Sequence, residues 1–336
     1  MTASISWKRF LNFVLAEEPL VKIVVLDGHC LNPGDLDWGQ MEKLGKLEVH
    51  ARTSPDQLLD RARDAEILIT NKCPLSSEVI DQLPSLTYVG VTATGYNVVD
   101  PAHCKSRGIT VTNAPGYSTA SVAQTVFAHI LHHTNQVEMH ANSVRDGQWE
   151  KCSDFCYTLG SVTELAGKNL GILGFGAIGG KTAEIGKAFG MKVLAHSRSL
   201  SSDTETVRSV GLNDLFEESD FLSLHCPLNE STHHIINCES LVRMKESSVL
   251  INTARGPLID EWALADTLNR EGISAAYLDV LSTEPPSSDN PLIRARNCQI
   301  TPHYAWASLE SRHRLMKIVC ENLVSFLKGT PKNQVI

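Results

Sequence analysis

A glycine turn between an apolar strand and a helix constrains this chain more than any other feature. Leu170-Gly-Ile-Leu173 runs straight into Gly174-Phe-Gly176-Ala177-Ile178-Gly179. Gly174 permits the tight turn, Gly176 lets backbone approach a pyrophosphate, and Gly179 lets helix pack closely on strand. The helix expected over residues 178–189 would aim its first N–H groups at phosphate. Such a run alone is as compatible with a structural turn as with a ligand. Here a strand precedes it and a helix and another strand follow, so the whole reads as a dinucleotide-binding βαβ unit.

The same alternation fills the chain. Strands are expected over 21–27, 47–50, 66–70, 87–91 and 109–112, with helices over 36–44, 55–63, 76–83 and 100–107 between them. After the glycine turn, strands are expected at 192–196, 221–225, 248–252, 275–279 and 298–301. Alternating strands and helices predict parallel α/β sheets. At 336 residues and 42% hydrophobic content the chain can build two cores. The expected architecture is two Rossmann-like or flavodoxin-like parallel-sheet domains with an active-site cleft between them. Asn113-Ala-Pro-Gly116 reads as a crossing, and the last helix, over 308–327, as a return. That predicts a discontinuous substrate-binding domain over 21–115 plus 308–336 and a dinucleotide-binding domain over 116–307. Residues 1–20 form an N-terminal extension. Its apolar patch, Phe10 to Ala16, is too short for a signal-peptide core, and the expected natural start lies downstream of Met1.

A net charge of −8 without any basic run predicts no nucleic-acid partner. The absence of an 18-residue apolar stretch predicts no membrane span. Nine scattered cysteines without a Cys-x-x-Cys pair argue against a disulfide framework and a zinc knuckle. Cys152 and Cys156, the closest pair, read as reduced thiols of a cytoplasmic protein. Residues 118–140 form one long helical run with little charge, carrying His129, His132, His133 and His140. His129, His133 and His140 fall on one face of such a helix. No Asp or Cys joins them at ligand spacing, so no metal is expected, and the face is read as packing between subunits.

The strand after the glycine turn ends Ala195-His196-Ser197-Arg198-Ser199. An acid would be expected there to accept the ribose 2′-hydroxyl of NAD. None is present, and Arg198 suits a 2′-phosphate. NADP(H) is therefore favoured and NAD(H) possible.

Three residues downstream carry the chemistry. Arg255, in Asn252-Thr253-Ala254-Arg255-Gly256, follows a buried strand, and open α/β sheets bind ligands at strand carboxyl ends. A guanidinium can grip a carboxylate and polarise a keto oxygen. His303, in Thr301-Pro-His303, can deliver a proton. Glu284 can accept a hydrogen bond from that ring, which fixes its tautomer and favours its charged form.

With these motifs in view, the chain resembles the D-isomer-specific 2-hydroxyacid dehydrogenases, and within them the glycerate dehydrogenase (hydroxypyruvate reductase) branch. The carriers are Ala93-Thr-Gly-Tyr-Asn-Val-Val-Asp100, Gly116-Tyr-Ser-Thr119, Ser121-Val-Ala-Gln124, Asp154-Phe-Cys156, the glycine turn, Asn252 to Pro257, Leu278-Asp-Val-Leu-Ser-Thr-Glu284 and Thr301-Pro-His303. The resemblance covers nearly all of residues 21–328. It implies that Arg255 binds substrate, that Glu284 supports the histidine and that His303 is the acid/base. Thr94 and Gly95 would face the substrate carboxylate across the cleft. Ala177, Ile178, Thr253, Ala254, Asp279 and the Cys226-Pro227 loop would line the cofactor. It implies reversible reduction of a small 2-keto acid, hydroxypyruvate or glyoxylate, to D-glycerate or glycolate, by a homodimer joined through its cofactor domains. Ser197 departs from the family's usual acid, and Tyr304 from its usual aliphatic residue, which predicts a narrower or more polar pocket. The chain's end at Ile336 speaks against a long-form phosphoglycerate dehydrogenase, and Glu284 against a formate dehydrogenase, which carries Gln there. A nucleotide-sensing relative of the C-terminal-binding co-repressors is the alternative. The absence of disordered, basic or Pro/Ser-rich tails speaks against it.

Overall fold

A computed structural model describes residues 21–198, 200 and 202–335, so the expectations for the N-terminal extension and for Ser199 lie outside the described residues. The chain divides into two compact units. One holds the described residues to Tyr117 and those from Leu309 onward; the other is Ser118–Ser308.

The first unit is built on five parallel strands: β1 (Lys22–Val25), β2 (Lys46–Val49), β3 (Ile67–Thr70), β4 (Tyr88–Val91) and β5 (Thr110–Thr112), in the order β2-β1-β3-β4-β5. β3 and β4 are buried throughout, because helices cover both faces of a parallel sheet. The helices are α1 (Gly39–Glu42), α2 (Pro55–Ala62), α3 (Ser77–Asp81) and α4 (Pro101–Ser106). α2 and α4 each open on proline, where the missing N–H costs nothing, behind Ser54 and Asp100 as caps. The last helix, α11 (Leu309–Leu327), packs here too: the Phe326 ring lies tilted against Tyr88 with centroids 4.7 Å apart, and Arg312 grips Asp35 at 2.5 and 2.7 Å.

The second unit is a seven-stranded parallel sheet: β6 (Asn169–Leu173), β7 (Lys192–His196), β8 (Arg208–Ser209), β9 (Phe221–Leu224), β10 (Val249–Asn252), β11 (Ala275–Leu278) and β12 (Cys298–Ile300), in the order β12-β11-β10-β9-β6-β7-β8. Its helices are α5 (Thr119–Asn135), α6 (Val137–Arg145), α7 (Ala177–Ala188), α8 (Leu212–Glu218), α9 (Cys238–Arg243) and α10 (Glu261–Asn269). Alternate residues of β10 feed two cores: Leu250 joins Leu264 and Leu278 on one face, while Val249 and Ile251 join Val126 and Ile130 of α5 on the other. The chain leaves β6 for β7 on one side and returns to β9 on the other. The carboxyl ends of β6 and β9 therefore flank a topological switch point, where ligands of such sheets bind.

Two expectations need correction. β8 was not foreseen; it extends the sheet beyond β7 by a two-residue strand. The single helix over 118–140 is two helices, parted at Gln136, which sits in the left-handed region at φ 51°. Thr134 there turns its hydroxyl back onto the carbonyl of Ile130, and Gln136 N–H bonds to His132 O, closing α5 as a left-handed cap does. His140 consequently leaves the face of His129 and His133. Its ring bonds Gln136 O at 2.9 Å and accepts from Leu159 N–H at 2.9 Å. Among the described residues no helix is long and apolar enough to cross a membrane.

Candidate active site

The glycine turn leads from β6 into α7. Gly174 adopts φ 97°, and a Cβ there would lie 2.5 Å from Cys226 N, so only glycine lets the turn pass the loop after β9. At Gly179 a Cβ would lie 2.3 Å from Gly174 O. Gly176 is different: a Cβ would meet nothing within 4 Å, so the space in front of the helix is open. Gly176 caps α7 with no side chain of its own, and Ala177 and Ile178 form the first turn. Cys226, before Pro227, is buried, and burial pushes its thiol up to about 11, so it stays neutral. Thr253 Oγ1, just past β10, is buried without a hydrogen-bond partner among the described residues. An open helix N-terminus and a buried orphan hydroxyl, both just past strand carboxyl ends of one sheet, fit a dinucleotide: phosphates at the first, a polar ligand group at the second.

β7 ends at His196, whose Nδ1 donates to Val210 O at 2.9 Å. Ser197 and the exposed Arg198 follow directly. No acid stands at the strand end, as in the sequence.

Arg255 comes three residues after β10. Its backbone is extended, it caps the short 3-10 turn Gly256–Leu258, and its Nη1 donates to Ala254 O at 2.7 Å. The next residue explains where this loop lies. A Cβ on Gly256 would fall 2.0 Å from the carbonyl carbon of Leu281 and 2.3 Å from Ser282 N. The Arg255 loop is thus pressed backbone to backbone against the segment leading to Glu284. Glu284 Oε1 accepts from Leu281 N–H at 3.1 Å, which turns the carboxylate back over that segment. Its Oε2 lies 2.6 Å from His303 Nδ1. Since an ionised carboxylate only accepts, Nδ1 carries the proton and donates.

His303 sits at φ 50°, a left-handed conformation uncommon for a side chain with Cβ. Asp279, one residue past β11 and only 1% exposed, holds the loop in that shape. Its Oδ1 accepts from Thr301 Oγ1 at 2.6 Å and from Tyr304 N–H at 3.0 Å; its Oδ2 accepts from Ala305 N–H at 2.9 Å. Burial raises the pKa of this carboxyl against the pull of those donors. Ser121 Oγ of α5 adds a bond to Ala305 O at 2.6 Å. Tyr304 itself is half-exposed beside the histidine.

Arg255, Glu284, His303, the glycine turn, Thr253, Ala254 and Asp279 all belong to the second unit, where Glu284 meets His303 directly and the Arg255 loop meets the segment before Glu284. Thr94 and Gly95 follow β4 in the first unit, where Thr94 Oγ1 donates to Ala114 O at 3.0 Å. Sequence reasoning assigned no part to Asn252 or His225. Asn252 is fully buried, and its amide bonds the Arg255 loop at both ends. His225 Nε2 lies 2.9 Å from Ser223 Oγ, and burial lowers its pKa to about 4, so it is neutral. A polar residue ending or directly following a mostly apolar strand, Asn252 after Val-Leu-Ile and His225 after Phe-Leu-Ser-Leu, was the available signal.

Known proteins with this pattern are numerous. A family model described as D-isomer specific 2-hydroxyacid dehydrogenase, NAD binding domain, matches residues 127–305. A hydroxypyruvate reductase of Blautia hydrogenotrophica is 48% identical over 320 residues, covering 94% of this chain and 99% of that protein. A glycerate dehydrogenase of Methylorubrum extorquens is 39% identical over 316 residues, covering 94% and 98%. Among solved structures, an acyclic imino acid reductase in complex with NADPH and D-Arg is similar at a TM-score of 0.82 and 32% identity, covering 94% of this chain and all of that one.

Proposed function

The chain belongs to the D-isomer specific 2-hydroxyacid dehydrogenases, and from that membership we propose that the 2-keto acid it reduces is hydroxypyruvate, with glyoxylate second. It is a nicotinamide-dependent reductase of keto acids. A nucleotide-sensing binding protein is not favoured, since the relatives matched are reductases and dehydrogenases. The observation that carries the assignment of roles is the 2.6 Å contact of Glu284 with His303, on a segment pressed against the Arg255 loop.

In this reading Arg255 grips the substrate carboxylate and draws electron density from the keto oxygen. His303 gives that oxygen a proton from Nε2 as negative charge develops there. Glu284 accepts from Nδ1, orienting the ring and stabilising it whenever it is charged. The reduced nicotinamide, when bound, supplies the hydride to the keto carbon. Gly176, Ala177, Ile178 and Gly179 would receive its phosphates, and Cys226, Pro227, Thr253, Ala254 and Asp279 would line the rest. NADP(H) is the preferred form, supported by Arg198 and the missing acid at Ser197. The protein acts as a cytoplasmic homodimer. The exposed apolar side chains of Val137, Met139 and Val144 on α6, with Trp149 and Phe155 after it, support a partner surface on the cofactor-binding unit.

A panel of 2-keto acids assayed with NADPH and with NADH tests the proposal. The highest kcat/KM is expected for hydroxypyruvate with NADPH. A clear preference for a bulky 2-keto acid would overturn the substrate, and a preference for NADH would overturn the cofactor.

A further inference from the structure

β10 is apolar until its last residue. Val249, Leu250 and Ile251 serve the two cores, and Asn252 ends the strand with no exposed surface. An amide in such a place loses its water and must find partners within the protein. Asn252 spends both ends of its side chain on the loop that carries Arg255. Its Oδ1 accepts from Ala254 N–H at 3.0 Å, and its Nδ2 donates to Arg255 O at 2.9 Å. Its main-chain carbonyl accepts from Asp279 N–H at 2.9 Å, tying the strand end to the neighbouring one.

We propose that Asn252 is a positioning residue for Arg255, its amide holding the loop in the one conformation that presents the guanidinium to the substrate carboxylate. The inference rests on the reading that Arg255 binds that carboxylate. An arginine side chain has many rotamers, so the region it samples is set largely by how firmly its backbone is held. Asn252 brackets Arg255 from both sides, at the N–H of the residue before it and at its own carbonyl. Leu258 N–H adds a bond to the same carbonyl at 3.3 Å, and Gly256 lies against Leu281. Only a side chain that both donates and accepts can close this bracket. Aspartate accepts alone, and leucine of similar size would strand two backbone groups.

The test compares the full-length wild-type protein with Asn252→Ser, Asn252→Asp, Arg255→Ala and the double variant Asn252→Ser/Arg255→Ala. Serine can still accept from Ala254 N–H but is too short to reach Arg255 O. Each variant is read by thermal melting, by its Kd for NADPH, by kcat and KM for hydroxypyruvate, and by binding of oxamate to the NADPH complex. Asn252→Ser is expected to raise KM and weaken oxamate about tenfold or more, as a misplaced binding group does, with a fall in kcat because Arg255 also polarises the keto oxygen and with little change in the Kd for NADPH. In the Arg255→Ala background the same substitution is expected to cost nothing further in kcat/KM, because it acts through the missing guanidinium. Normal KM and oxamate binding in Asn252→Ser overturn the inference; so do losses that multiply in the double variant. Should Asn252→Ser fail to fold, Asn252→Asp, which keeps the shape but turns the donor into a charged acceptor facing Arg255 O, carries the same expectation. If Arg255→Ala leaves KM unchanged, the reading of Arg255 fails and takes the inference with it. If Arg255→Ala raises KM and Asn252→Ser does not, the inference alone fails.

Discussion

At the scale of single residues, the site is a short relay of fixed contacts. Glu284 is anchored by Leu281 and holds His303 at 2.6 Å, so the ring's tautomer is settled before any substrate arrives. Replacing His303 with alanine is expected to lower kcat by roughly 10²-fold or more, the usual worth of a positioned acid. Stopped-flow or steady-state turnover at saturating hydroxypyruvate measures it. Replacing Ser197 with aspartate is expected to move preference from NADPH towards NADH, because a carboxylate there accepts a 2′-hydroxyl and repels a 2′-phosphate. The ratio of kcat/KM for the two cofactors reports the shift. His129, a residue outside the site, contributes to acid stability. It is buried, its Nε2 has no partner among the described residues, and desolvation with a smaller push from His132 lowers its pKa from 6.5 to about 4. The unfolded chain therefore takes the proton first. Stability from this group is complete above about pH 6.5 and is lost as pH falls from there towards 4. Between pH 7 and pH 5 the loss is roughly 2 kcal/mol. Urea midpoints across that range should fall less steeply in His129→Leu than in the wild type.

Secondary-structure elements decide which of these residues can meet. Arg255, Asp279 and His303 are far apart in sequence, yet each lies within three residues of the carboxyl end of its strand, and β10, β11 and β12 are neighbours in the sheet. Strand periodicity and the glycine turn made this layer legible, because a parallel strand must end where its loop begins. The approach of Gly256 to Leu281 was not legible, since a close contact between two backbones leaves no mark in hydropathy. Gly256→Ala is expected to be severe: its Cβ would overlap Leu281 and force the two loops apart. A loss of stability of about 3 kcal/mol, with kcat/KM falling by more than the melting shift explains, is the outcome that calorimetry and kinetics should show. The break at Gln136 was missed for a related reason. Apolar periodicity runs on past it, and one residue in a left-handed conformation changes the direction of a helix without changing its pattern.

For the whole molecule, the cofactor-binding unit exposes apolar side chains on and just after α6. Beside Val137 and Met139 lies a cavity of about 780 Å³ lined by His132, His133, Glu138 and Tyr277. In the homodimer proposed above, this face meets its copy. Sedimentation should give twice the 36.8 kDa of the chain, and the pair Val137→Asp with Phe155→Asp should yield monomers, since burying two unpaired carboxylates in an interface is costly. A monomeric wild type would sink the proposal.

The order of apolar strands and the glycine turn were enough, by themselves, to determine the fold class and to point to nicotinamide chemistry, and they singled out the residues proposed above to carry it. Those features are local: a strand's period, a turn that only glycine can make, a residue type with a known acidity. What the tertiary structure alone decided is how those side chains are held. Asn252 and Asp279 spend buried polar atoms on the backbones of the Arg255 and His303 loops, and Gly256 lets one of those loops lie on the segment of Glu284. Such bonds join residues through backbone atoms that every amino acid shares, so composition and spacing carry no trace of them until the strands lie side by side.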